Sequence, residues 1–140
     1  MQWLTRTPEY YDVVVLSNMF GDIATDLGAV LQGGMGMAAS GNVGDSHAFF
    51  EPVHGSAPKH AGQNKVNPIA SINSIQMMLD WLGRKNGEDE LITIANLIDE
   101  SVADHLRGGK SLTYDLGGTA SCSQVGESIS TILSSKLSQL

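Results

Sequence analysis

Residues 12–16, Asp12-Val13-Val14-Val15-Leu16, constrain the fold most. Val13–Leu16 is the longest purely aliphatic run in the chain. A strand that is apolar on both faces suits a sheet covered on both sides, as parallel sheets are. Such a sheet needs several strands. The sequence offers one other convincing strand, Ala48–Val53, with Pro52 closing it. The chain is therefore expected to be α/β, helix-rich with few strands, and to hold an incomplete sheet.

The helices follow from apolar spacing and stop signals. Residues 1–9 read as the last turns of a helix ended near Pro8. Met19, Phe20, Ile23, Leu27, Val30 and Leu31 share one side of a second helix, which Gly33-Gly34 ends. Residues 33–44 are glycine-rich and 54–68 form a loop. Pro68 suits a first helical turn, with Asn67 as cap. That helix runs to Gly83 with Ile72, Ile75, Met78, Leu79 and Leu82 as its stripe. Glu88–Leu106 carries acids in its first turn and Arg107 at its end, as the helix dipole favours. Gly117-Gly118-Thr119 precedes a final helix to about Leu137.

Composition excludes several classes. The 140 residues suffice for one core, and 41% are hydrophobic, so the chain is not a disordered tail. A net charge of −7 argues against nucleic acid as a partner. Four aliphatic residues in a row fall far short of the roughly 20 needed for a membrane span. The N-terminus lacks the apolar stretch of a signal peptide, and the single Cys122 fits a reducing compartment; cytoplasm is the expectation.

Two constellations stand out. Asp22 and Asp26 lie four apart in a helical pattern, hence on one face. They are either a solvated acidic face or a carboxylate pair for a hard divalent cation. The segment from His54 to Gly62 follows a strand end. It is either an ordinary turn or a loop whose small residues, free N–H groups and Ser56 approach a phosphate, with Lys59 and His60 adding charge. Other motifs fail. Gly34–Ala39 lacks the last glycine of a dinucleotide fingerprint, and Gly109-Lys110-Ser111 lacks the first glycine of a P-loop. The four histidines have no zinc spacing, and His47 and His105 read as surface or packing residues.

The run Asp12-Val-Val-Val-Leu-Ser-Asn18-Met-Phe-Gly21-Asp22-Ile-Ala-Thr-Asp26 resembles the signature of the metal-dependent β-decarboxylating dehydrogenases. These include isocitrate, 3-isopropylmalate, homoisocitrate and tartrate/malate dehydrogenases. The resemblance continues in order through Gly33-Gly34-Met-Gly36, Ser40-Gly-Asn42-Val-Gly44, Phe50-Glu51-Pro52-Val-His54-Gly55-Ser56-Ala57-Pro58, Asn67-Pro68 and Asp115-Leu116-Gly117-Gly118-Thr119. It covers nearly the whole chain.

The resemblance implies the C-terminal portion of such an enzyme. Residues 1–11 would end a central-domain helix, and 12–140 would form part of the cofactor-binding domain. It implies Asp22 and Asp26 as two of three carboxylate ligands for Mg²⁺ or Mn²⁺. It implies Glu51 and the loop His54, Gly55, Ser56, Ala57, Pro58, Lys59 and His60 as the adenosine-phosphate site. Asn67 would contact adenine, with Tyr114 and Asp115 near the ribose. Lys59, His60, Val66 and Tyr114 match the NADP pattern more than the NAD pattern, although Gly118 stands where some NADP enzymes carry Arg. The implied reaction is oxidation and decarboxylation of a small 2-hydroxy acid, in a dimer or larger homo-oligomer. The family's catalytic Lys and Tyr, substrate Arg cluster and third metal Asp match no residue here. The chain alone is therefore expected to be inactive.

Overall fold

The computed structural model describes all 140 residues, Met1–Leu140. A short helix, α1 (Gln2–Arg6), and a 3-10 turn at Pro8–Tyr10 precede the aliphatic run. Residues 12–17 belong to no strand, which corrects the expectation of a buried parallel strand. Val13 is 78% and Val15 88% exposed. The reason is pairing: a strand exists by virtue of a neighbour, and the sheet in this chain is a two-stranded hairpin elsewhere.

Helix α2 (Asn18–Leu31) follows. The side chains expected to be its buried stripe, Met19, Phe20, Ile23 and Val30, are all more than half exposed. Its buried residues are the small Ala24 and Ala29. The helix is thus amphipathic, with its bulky apolar side in solvent.

The hairpin pairs β1 (Ala39–Val43) with β2 (Ala48–Pro52), antiparallel, with Gly41 opposite Phe50. β2 coincides with the expected strand, whereas β1 lies in the stretch read as glycine-rich loop. Ala-Ser-Gly-Asn-Val has one β-branched residue and no alternation, so only its partner makes it a strand.

Three long helices complete the chain. α3 (Ile69–Asn86) begins after Asn67, whose carboxamide oxygen accepts from the Ile69 N–H at 3.0 Å. It continues past Gly83, the expected end, to a left-handed Gly87. Gly83 serves close packing instead: a Cβ there would fall 2.7 Å from Ile92 Cγ1. α4 (Asp89–Gly108) starts with Asp89 and Glu90, ends with His105 and Arg107, and stops at the left-handed Gly109. α5 (Cys122–Leu137) opens on a capping box, in which the Ser121 N–H donates to Gln124 Oε1 and the Gln124 N–H to Ser121 Oγ. The core joins Met37, Ile69, Val102, Val125 and Ile129, flanked by Ile72, Leu106, Leu116 and Ala120. It therefore lies among α3, α4 and α5. No helix is long and apolar enough to cross a membrane.

Candidate adenosine-nucleotide site

The largest cavity, about 790 Å³, lies where three distant segments meet. The turn after α2 contributes Gly33, Gly34, Met35 and Gly36. The segment after β2 contributes His54 to Ala57, His60 to Gly62, Asn64, Val66 and Asn67. The third wall is Tyr114, Asp115 and Cys122. The volume falls within the range of about 300–1,000 Å³ common for small-molecule sites.

The loop from 54 to 67 is shaped by its backbone. Ala57 sits in the left-handed region at φ 48°, which costs a non-glycine residue about 1–2 kcal/mol. It directs the chain into a 3-10 turn at Pro58–His60, closed by the His60 N–H donating to the Ala57 carbonyl at 2.8 Å. The backbone N–H groups of Gly55, Ser56 and Ala57 donate to no acceptor within the chain. The His54 ring donates from Nδ1 to the Gly55 carbonyl, 2.9 Å away.

Asn64 fastens this loop to α5. Left-handed at φ 51°, it donates from Nδ2 to Ser123 Oγ at 2.9 Å. Its side-chain oxygen accepts from the Ser123 N–H at 3.0 Å, and its backbone carbonyl from the Cys122 N–H at 2.8 Å.

Asn67, 6% exposed, is the strut of the cavity. Its Nδ2 donates to Asp115 Oδ2 at 3.0 Å and to Met37 Sδ at 3.6 Å. With its oxygen on Ile69, the carboxamide is committed to the fold. Its backbone N–H and C=O make no backbone hydrogen bond, so any adenine contact falls to them. Gly36 is fitted to this strut: a Cβ would lie 2.8 Å from Asp115 Oδ2 and 2.9 Å from Asn67 Cβ.

Tyr114, half exposed, forms the outer wall. The His60 ring lies 5.9 Å from it, tilted by 50°. His60 Nδ1 is buried without a hydrogen-bond partner. The Lys65 ammonium sits 5.1 Å from the Tyr114 ring centroid.

Of the residues implied for the cofactor, the cavity gathers His54, Gly55, Ser56, Ala57, His60, Val66, Asn67, Tyr114 and Asp115. Glu51, Pro58 and Lys59 do not line it. Gly118 is walled in, since a Cβ would lie 1.9 Å from the Leu112 carbonyl oxygen. Asn64 and Lys65 went unsuspected in the sequence. An asparagine in a loop signals left-handed backbone, but nothing in the sequence points to a partner 59 positions away.

Asp22 and Asp26 are exposed on α2 and away from the cavity. No group of three His, Cys, Asp or Glu side chains comes together to hold a metal ion. The two carboxylates by themselves do not make a metal centre. An adenosine group fares better: small residues, free N–H groups and the orphaned His60 nitrogen suit a nucleotide.

The family profile described as isocitrate/isopropylmalate dehydrogenase matches residues 1–129, and the chain belongs to that family. Homoisocitrate dehydrogenase of Methanocaldococcus jannaschii is 46% identical over 96% of this chain and 36% of its own length. A mitochondrial regulatory subunit of NAD isocitrate dehydrogenase from Dictyostelium discoideum is 47% identical over 86% of this chain and 32% of its own length. The crystal structure of a β-decarboxylating dehydrogenase from Thermococcus kodakarensis superposes with a TM-score of 0.85 and 40% identity, over 98% of this chain and 38% of that one. The chain therefore spans about a third of the length of the curated relatives it matches.

Proposed function

We propose that this chain is the adenosine-binding part of an NAD(P)-dependent oxidoreductase that oxidises and decarboxylates a small 2-hydroxy acid such as isocitrate or 3-isopropylmalate. The observation that carries the reading is the run of acceptor-free N–H groups on Gly55, Ser56 and Ala57, on the wall of a cavity of nucleotide size. Such groups bind phosphate oxygens without side-chain charge. Val66, Asn67, Tyr114 and Asp115 then enclose the base and ribose. When bound, the nicotinamide accepts hydride from the carbinol carbon. The cofactor is NADP in preference to NAD, on the pattern of His60, Val66 and Tyr114.

In the complete enzyme, Asp22 and Asp26 supply two carboxylates toward Mg²⁺ or Mn²⁺, the remaining ligands coming from elsewhere. Residues 1–11 end a central-domain helix, and 12–140 are part of the cofactor domain. The assembly is a homo-oligomer, dimeric at least, of the reducing cytoplasm. The catalytic acid and base lie outside this chain, so alone it produces no NAD(P)H.

Binding of 5′-AMP followed by amide NMR tests the reading. Shifts are expected at residues 54–57, 60, 66, 67, 114 and 115. Absence of binding, or shifts confined to other residues, would overturn it. A second reading, a non-catalytic nucleotide-binding partner subunit, is favoured by the likeness to a relative named as a regulatory subunit. Turnover measured with the full-length protein as the sole subunit decides between the two.

A further inference from the structure

We propose that Lys65 gives the cavity its preference for an adenosine carrying a 2′-phosphate. This rests on the nucleotide reading above and names the group that selects among nucleotides.

The chain has eight Lys and Arg residues in a background of net charge −7. Arg84, Arg107 and Lys136 are paired with carboxylates. Arg6 lies over Trp3, and Lys85 lies over Trp81 and donates to the Ser46 carbonyl. Lys59, Lys65 and Lys110 have no carboxylate partner. Among these three, Lys65 alone is seated on a side chain of the cavity wall, the Tyr114 ring.

The surroundings keep that cation available. Asp115, the carboxylate in the same wall, receives Asn67 Nδ2 and forms no ion pair with Lys65. Residue 64, immediately before Lys65, is pinned to α5 by hydrogen bonds from its side chain and its carbonyl. Residue 67 is buried and pinned on the other side. The backbone that carries Lys65 is therefore fixed at both ends, so its ammonium is presented at one place. A ring face holds a cation more weakly than a phosphate does. An incoming phosphate monoester beside Tyr114 can therefore draw the ammonium from the ring. An adenosine with a free 2′-hydroxyl offers no charge and gains little.

Titration calorimetry of the chain with two probes, 5′-AMP and adenosine 2′,5′-bisphosphate, tests this. The probes differ only in the 2′-phosphate. The chain is expected to bind the bisphosphate more tightly. Lys65→Met is expected to weaken the bisphosphate by about ten- to a hundredfold, the range for a hydrogen bond to a charged group. Its affinity for 5′-AMP stays within about twofold, and Lys65→Arg keeps the preference. Equal weakening of both probes, or none, would overturn the assignment of Lys65 and leave the nucleotide site standing. Failure of the unsubstituted chain to bind either probe would overturn the nucleotide reading together with it.

Discussion

Asn67 donates its carboxamide N–H to the Asp115 carboxylate at 3.0 Å, a bond spanning 48 positions of the chain. It closes the cavity by tying the start of α3 to the turn after α4. The same carboxamide caps α3 through Ile69. Asn67→Ala should cost about 1–3 kcal/mol, because it strips a buried donor and acceptor pair of their partners. Combined with Asp115→Ala in a double-mutant cycle, it should show a coupling of about 0.5–3 kcal/mol by urea unfolding. Strict additivity would mean the bond carries no energy.

Gly83→Ala should destabilise the fold by about 1–3 kcal/mol through overpacking. The added methyl would meet Ile92 Cγ1 at 2.7 Å and the Glu88 carbonyl oxygen at 2.9 Å. A thermal melt with an unchanged midpoint would contradict the packing described. On an open helix face the same change would instead stabilise, by helix propensity.

His105 sets a pH dependence. It is 4% exposed, with Nδ1 2.9 Å from Ser128 Oγ. Burial holds its imidazole below the ordinary value of 6.5, opposed in part by the Ser111 backbone. Above 6.5 the ring is neutral in both folded and unfolded chains, and its contribution is flat. As pH falls below 6.5 the unfolded chain takes the proton first. Stability is then lost at up to about 1.4 kcal/mol per pH unit until the folded ring also protonates. Urea midpoints between pH 8 and pH 5 should show the loss, and His105→Gln should flatten it.

Mn²⁺ titration of the chain should reveal weak binding that Asp22→Asn removes. Two exposed carboxylates and water form only part of an octahedral shell. Tight binding, or binding that survives both Asp22→Asn and Asp26→Asn, would place the ion elsewhere.

The sequence disclosed the helices and β2 because apolar spacing, caps and stop residues are local properties. It misjudged Val13–Leu16 and β1 for one shared reason. Pairing belongs to two segments at once, and neither an aliphatic run nor Ala-Ser-Gly-Asn-Val states whether a partner is present. The α3 endpoint was misread because Gly83 looks like a stop signal locally but answers to Ile92 on α4. At the cavity, ordered motifs pointed to the loop and to Asn67. They did not show that the Asn67 side chain is consumed by the fold. Nor did they show that Lys65, instead of Lys59, rests on the cavity wall.

The cavity draws on residues 33–36, 54–67 and 114–122. None of these segments holds a binding surface alone. A nucleotide bound there stabilises the state in which all three are docked, and gains nothing from partially opened forms that release one. Thermodynamic linkage then raises the opening free energy of α3 and α5 together, by an amount growing with the logarithm of ligand concentration. Amide hydrogen exchange should slow across both helices on nucleotide addition, including amides far from the ligand such as those late in α5. Binding there acts as a clasp on the folded chain, joining parts that are far apart in sequence into one cooperative unit.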